Sequence, residues 1–180
     1  NRARRKIDLS SDNIMTILTL SLGSNSEAAH NIRKAVASLR QHFGELLCSS
    51  VYESEAVGFS GDNFLNLVVI LETDEELADI ILTLKHLEDC QGRVRTDPKF
   101  SGRTLDIDIL TFGNQQGLVA GIELPRSEIT ENAYVLCPLA EVAESNIDPA
   151  SGETYGALWQ TYAADQKLWR IDFDWKALPD

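Results

Sequence analysis

Cysteine is scarce in this chain: Cys48, Cys90 and Cys137 stand far apart in 180 residues. An odd, scattered set supports no disulfide framework and shows no metal-ligand spacing, so reduced thiols in a cytoplasmic protein are expected. Long hydrophobic runs are missing too. No stretch approaches the roughly 18 apolar residues of a membrane span, and the first residues lack the apolar segment of a secretory signal. Positive charge is in short supply. Sixteen Lys and Arg face 28 Asp and Glu, a net charge of −12, which argues against general nucleic-acid binding. Repeats and low-complexity segments are absent from the sequence. What is there is 43% hydrophobic residues, enough for one domain with a real core. A monomer with small-molecule partners, no membrane and no nucleic acid is the expectation.

The charge is unevenly spread. Residues 1–13 hold Arg2, Arg4, Arg5 and Lys6 against Asp8 and Asp12, which leaves −14 for the rest. Met15, the only methionine, sits just before the first apolar run. Residues 1–14 are therefore expected to be an upstream extension or an added segment, and 15–180 a single domain. A basic nucleic-acid arm is the rival reading of the extension.

Apolar periodicity sets out the elements. Thr16 to Leu22 reads as a first strand. Ser24-x-x-Glu27 resembles a capping box ahead of a helix that carries Ile32, Ala35, Val36, Leu39 and Phe43 and stops at Gly44. Leu46 to Tyr52 reads as a second strand, residues 53–63 as a loop, and Phe64 to Glu72 as a β-branched third strand. Thr73-x-x-Glu76 is a second capping box, before a helix with Leu77, Ile80, Ile81, Leu84 and Leu87 on its inner face. After a basic loop, Leu105 to Phe112 forms a fourth strand. The order is βαββαβ, so the fold class is α+β with a ferredoxin-like core and C-terminal additions. Those additions comprise a small hairpin over 114–122, a loop over 124–132, an apolar stretch over 133–143, a helix over 155–164 and a last strand over 168–173. His30, His42 and His86 read as exposed or structural, and Trp159, Trp169 and Trp175 as packing residues.

Chemistry concentrates in residues 92–113. Asp106 and Asp108 alternate with Leu105, Ile107 and Ile109, so both carboxylates project from one strand face. At ~3.3 Å rise per residue their Cα atoms stand roughly 6.6 Å apart, a spacing able to hold two hard cations. Taken alone, an Asp-x-Asp pair is more often simply solvated. Here Arg93, Arg95, Lys99 and Arg103 gather just upstream in an otherwise acidic chain, and guanidinium forks suit polyphosphate oxygens. Together these features describe a nucleotide-dependent transferase.

The same residues carry a family resemblance. Gly92-Arg93-Val94-Arg95 followed by Arg103-Thr104-Leu105-Asp106-Ile107-Asp108 resembles the signature of the 6-hydroxymethyl-7,8-dihydropterin pyrophosphokinases of folate biosynthesis. Leu22-Gly23-Ser24-Asn25, Phe64-Leu65-Asn66, Tyr134-Val135-Leu136 and Pro138-Leu139 add to it, from about Met15 to the C-terminal region. The resemblance implies transfer of diphosphate from ATP to the pterin hydroxymethyl group, giving AMP and the pterin diphosphate. It implies two Mg2+ ions held by Asp106 and Asp108, with Arg93, Arg95 and Arg103 as catalytic groups on the phosphates. Glu88, Ile109 and Arg126 join those arginines on the ATP side. Phe64 and Tyr134 match the ring-stacking pair, with phenylalanine and tyrosine interchanged. Asn66 matches the reader of the pterin amide edge, and Ser54, Val57 and Gly58 the contact loop.

The chain also departs from that pattern. Arg126 stands where the family usually has histidine after Leu-Pro, Asn132 where it has arginine, and Gly121 where a basic residue helps bind ATP. Thr96 and Phe100 replace a lysine and a tryptophan, and Glu55-Ala56 replaces a proline. The departures cluster on the nucleotide side. An alternative is therefore a pterin-binding paralogue with weak or altered transfer. An RNA-recognition module shares the element order but would carry aromatic RNP motifs, which are missing here.

Overall fold

The computed structural model describes residues 14–56, 58, 60–91 and 105–177. Residues 1–13, Val57 and the basic loop with Arg93, Arg95 and Arg103 lie outside the described residues. The chain runs β1 (Thr16–Ser24), α1 (Ala28–Phe43), β2 (Leu47–Cys48), β3 (Tyr52–Ser54), β4 (Phe64–Thr73), α2 (Leu77–Cys90) and β5 (Asp106–Phe112). A hairpin, β6 (Gly117–Val119) and β7 (Ile122–Leu124), follows, then α3 (Glu128–Glu131), α4 (Ala133–Val142), α5 (Tyr155–Gln160) and β8 (Leu168–Arg170). One antiparallel sheet has the order β5-β1-β4-β3-β8, with β2 also on β4.

Period-two alternation divides the sheet into two unlike faces. Leu18, Leu20 and Leu22 of β1, Leu67, Val69 and Leu71 of β4, and Ile107 and Ile109 of β5 form the main core with α1 and α2. On the other face β1 offers Thr19, Ser21 and Gly23, beside Val68 and Leu110. There α3, α4 and α5 build a second core around Ile129, Leu136, Leu139 and Tyr155. Helices therefore lie on both sides of the sheet. Among the described residues none is long and apolar enough to cross a membrane.

Several boundaries differ from the sequence reading, each for a local reason. The expected second strand breaks into β2 and β3 because Ser49 uses its side chain as a strand acceptor: Ser49 Oγ accepts from Val68 N–H at 2.9 Å. Neither expected capping box forms. Ser24 closes β1, and α1 starts at Ala28 after Glu27 with φ 45°. Thr73 Oγ1 instead accepts from Glu75 N–H in a tight turn, and α2 starts at Leu77. Gly44 ends α1 as expected, at φ 88°. The hairpin reaches Leu124, turning through Ala120 and Gly121, both at positive φ. Within the expected loop over 124–132 lies α3, α5 stops at Gln160, and β8 ends at Arg170. The three tryptophans are partly exposed. Trp159 stacks on Tyr162, and Trp169 Nε1 donates to Glu53 at 3.0 Å.

A clamp fixes α4 against β3 and the residue pair just before it. Glu141 accepts from Tyr52 Oη at 2.6 Å and from Ser50 N–H at 2.8 Å. Burial opposes its charge, but these donors and the Arg170 guanidinium hold its carboxyl below the ordinary range. Burial and the Glu141 carboxylate push the Tyr52 phenol up. A depressed carboxyl stabilises the fold above its ordinary value of 4.5, and that contribution is lost as pH falls through the folded value. Glu141→Gln should thus be less stable than wild type at pH 7. In urea unfolding the gap should narrow as pH falls below 4.5; a gap that does not change with pH would show that the charge is not its source.

Candidate active site

Register places the site. Asp106 of β5 pairs with Gly23 of β1, Gly23 with Asn66 of β4, Asn66 with Tyr52 of β3, and Tyr52 with Arg170 of β8. Directly paired residues share a face, so this row crosses the sheet on the side that carries the second core. On one side of this row Asp108 pairs with Ser21, and on the other Phe64 pairs with Ser54. The apolar second core covers Val68 and Leu110 of this face. Asp106, Asp108, Gly23, Asn66, Phe64 and Ser54 make up its polar end.

Gly23 is the centre of that end. A Cβ built there would stand 3.5 Å from Asn66 Oδ1 and 3.9 Å from the Phe64 ring. The missing side chain leaves a recess floored by backbone, which is what an interior strand glycine often marks. Asn66 is only 3% exposed. Its Nδ2 donates to Ser54 Oγ at 2.9 Å and to Tyr52 O at 3.4 Å. These bonds fix the amide plane with Oδ1 toward the recess, as an acceptor for a flat N–H-bearing edge. Phe64 forms one wall, half-buried. Tyr134, in the first turn of α4, lies at the margin of the second core.

The carboxylates lie at the other end of the row. Leu105, Ile107 and Ile109 are at most 6% exposed, so the alternation read from sequence holds and Asp106 and Asp108 share the opposite face. Arg126 reaches Asp108, Nη2 to Oδ1 at 3.1 Å, and its Nε stands 3.3 Å from Glu128 Oε2. A β-bulge sets its position. Ile109 pairs with Leu20 and Thr111 with Thr19, which leaves Leu110 over. The Leu110 carbonyl accepts from Arg126 N–H at 2.9 Å.

Other expected site residues fall elsewhere. Ile109 points into the main core, so its side chain cannot join the carboxylates, and only its backbone can serve a site on that face. Glu88 is half-buried near the end of α2, a helix that packs on the opposite face of the sheet. Gly58 is exposed in the loop after β3, at φ 84°. Asn25 Nδ2 ties that loop to β1 through Asp62 O at 3.3 Å. Asn132 opens α4, where Gln166 Oε1 accepts from Ala133 N–H at 2.8 Å and Gln166 Nε2 donates to Glu131 O. Sequence reasoning did not place Gly23, Tyr52 or Glu128 at the site. Only Gly23 left a signal, as a glycine at the end of an apolar strand.

Two carboxylates on one face, beside a guanidinium, fit divalent cations shared with phosphate oxygens. Among the described residues no group of three or more His, Cys, Asp or Glu is placed to hold a metal. Hard cations take much of their shell from water and phosphate, so a pair suffices for that role. The family model for 7,8-dihydro-6-hydroxymethylpterin-pyrophosphokinase matches residues 19–144. The chain belongs to this family. It is therefore an enzyme of the pyrophosphokinase class, a group of diphosphotransferases. A 2-amino-4-hydroxy-6-hydroxymethyldihydropteridine pyrophosphokinase from Synechocystis is 34% identical over 136 residues, covering 74% of this chain and 69% of the relative. One from Bacillus subtilis is 32% identical over 132 residues, 71% and 78% of the two chains. Among solved structures, a Plasmodium falciparum HPPK-DHPS triple mutant aligns at TM-score 0.66 and 14% identity. It supports the fold alone. That alignment covers 84% of this chain and 42% of the longer Plasmodium protein.

Gly23→Val tests the recess. Valine suits a strand, and thermal unfolding should stay cooperative. A branched side chain between Asn66 and Asp106 should nonetheless weaken binding of a pterin more than tenfold in calorimetry. Unchanged affinity would place the ring elsewhere.

Proposed function

We propose that the chain transfers diphosphate from ATP to the hydroxymethyl group of 6-hydroxymethyl-7,8-dihydropterin in the cytoplasm, with Mg2+, for folate biosynthesis. The observation that carries this reading is the row Asp106–Gly23–Asn66, which sets a carboxylate pair beside a recess with one fixed amide. Residues 15–180 form the catalytic domain in this reading, on a ferredoxin-like core. The element order and the strand order β5-β1-β4-β3 support that description.

In the proposed complex the pterin ring lies in the recess between Phe64 and Tyr134. Asn66 Oδ1 accepts from the N–H groups of its amide edge, while Ser54 holds the asparagine, and Val57 and Gly58 close the loop side. The hydroxymethyl oxygen is thereby directed toward the carboxylates. It attacks the β-phosphorus of ATP, the bond to the α,β-bridging oxygen breaks, and AMP leaves. Asp106 and Asp108 would hold two Mg2+ ions, which supply charge neutralisation and acidify the attacking hydroxyl. Arg93, Arg95 and Arg103 neutralise phosphate oxygens, with Glu88, Arg126 and the Ile109 backbone on the ATP side. Catalysis of this kind is mostly positioning and electrostatic stabilisation.

Pterin-dependent formation of AMP from ATP and Mg2+ tests the reading directly. AMP without dependence on the pterin, or none at all, would overturn it. Pterin binding without AMP would favour a paralogue with altered transfer, a reading the Arg126–Asp108 pair keeps open. Asp108→Ala should reduce turnover to background while thermal stability changes little, because the side chain is 46% exposed. Near-normal turnover would remove the carboxylate from the metal role. Asn66→Ala should weaken pterin binding by about 1–3 kcal/mol through an unpaired polar edge.

A further inference from the structure

Arg126 is held in an unequal arrangement. Its Nη2 bonds Asp108 Oδ1 at 3.1 Å. Its Nε is 3.3 Å from Glu128 Oε2, within ion-pair range. Yet Arg126 Nε and Glu128 Oε2 are both closed to solvent and neither has a hydrogen-bond partner. An N–H and a carboxylate oxygen left unbonded out of water are costly, and a small rotation of the guanidinium would join them. The backbone N–H of Arg126 is fixed to the Leu110 bulge, so only the side chain needs to move. One bond is formed to Asp108, and a second is poised toward Glu128.

We propose that Arg126 is a resident counter-ion of Asp108, held there until a divalent cation binds and displaced by that cation onto Glu128. This rests on the reading of Asp106 and Asp108 as metal-holding residues. A guanidinium and a divalent cation drawn to one carboxylate repel each other at short range, so metal binding works against the 3.1 Å bond. Glu128 then keeps the displaced guanidinium at the rim of the site, where a phosphate oxygen is its next partner. Arg126 thereby positions Asp108 before metal binds and couples metal loading to the arrival of an anion.

Mg2+ binding to the full chain without nucleotide, by calorimetry and by 15N NMR of arginine Nε–H groups, tests this. Arg126→Gln should bind Mg2+ about two- to fivefold more tightly than wild type, the worth of a half-exposed ion pair. Arg33→Gln, which removes the same charge from α1, should leave affinity unchanged. In wild type the Arg126 Nε–H signal should shift and gain protection from solvent with the same midpoint as Mg2+ binding. Asp108→Asn should show that shifted signal without any metal. Equal affinities for wild type and Arg126→Gln, or an Arg126 signal that Mg2+ does not move, would overturn the proposal if Asp108→Asn still lost the site. Mg2+ binding that survives Asp108→Asn, or is missing from every variant, would instead overturn the metal reading on which it stands.

Discussion

Everything at the site depends on the pairing of β5 with β1 in a single register. Leu20 and Leu22 face Ile109 and Ile107 across the ladder, and all four lie in the main core. A slip of one residue would turn both isoleucines out and both aspartates in. Burial of two adjacent carboxylates without cations is prohibitive, so the correct register is strongly favoured. The carboxylates face outward because their neighbours are held inward. β1 transmits the constraint to β4 on its other side, which brings Asn66 level with Asp106.

The second core then sets how open this face is. α4 covers Val68 and Leu110 but starts at Ala133, and Asp106, Asn66 and Phe64 make up the polar end of the face. Its N-terminus is held by a distant residue: Gln166 accepts from the Ala133 N–H that helix geometry leaves without an intrahelical partner. Farther along, the Glu141 clamp fastens the helix to β3. The same strand supplies Ser54 and the Tyr52 carbonyl that orient Asn66. A recess of fixed shape thus follows from contacts made well away from it.

Local pattern made much of this legible. Alternation in residues 105–112 gave the two faces of β5, and helical spacing gave α1 and α2 to within a few residues. Helix starts were misread because Ser24 and Thr73 belong to strand ends, where tertiary pairing extends the ladder past the local capping signal. The break at Ser49 depends on one hydroxyl meeting one N–H of β4, a contact between residues 19 apart. Strand order, the Gln166 cap and the Arg126–Asp108–Glu128 set likewise depend on long-range placement. Asp106 and Asp108 could be found from spacing alone, whereas Gly23 gains meaning only beside Asn66, and Ile109 loses its side chain to the core.

Arg126 also bears on the departures from the family pattern. A positive charge at that position does not simply replace one missing at Asn132. Its guanidinium is engaged by Asp108 and lies beside Glu128, so its charge is already met by carboxylates. In the proposed complex, cations that arrive with a polyphosphate would offset the repulsion between its oxygens and these carboxylates, because charges of one sign act strongly at short range. On the proposed metal reading, a divalent ion on Asp108 would act twice: it would cancel carboxylate charge and free a guanidinium. On that reading nucleotide affinity depends on the metal as well as on the arginines, and a change at Asn132 is compatible with Asp106 and Asp108 in place.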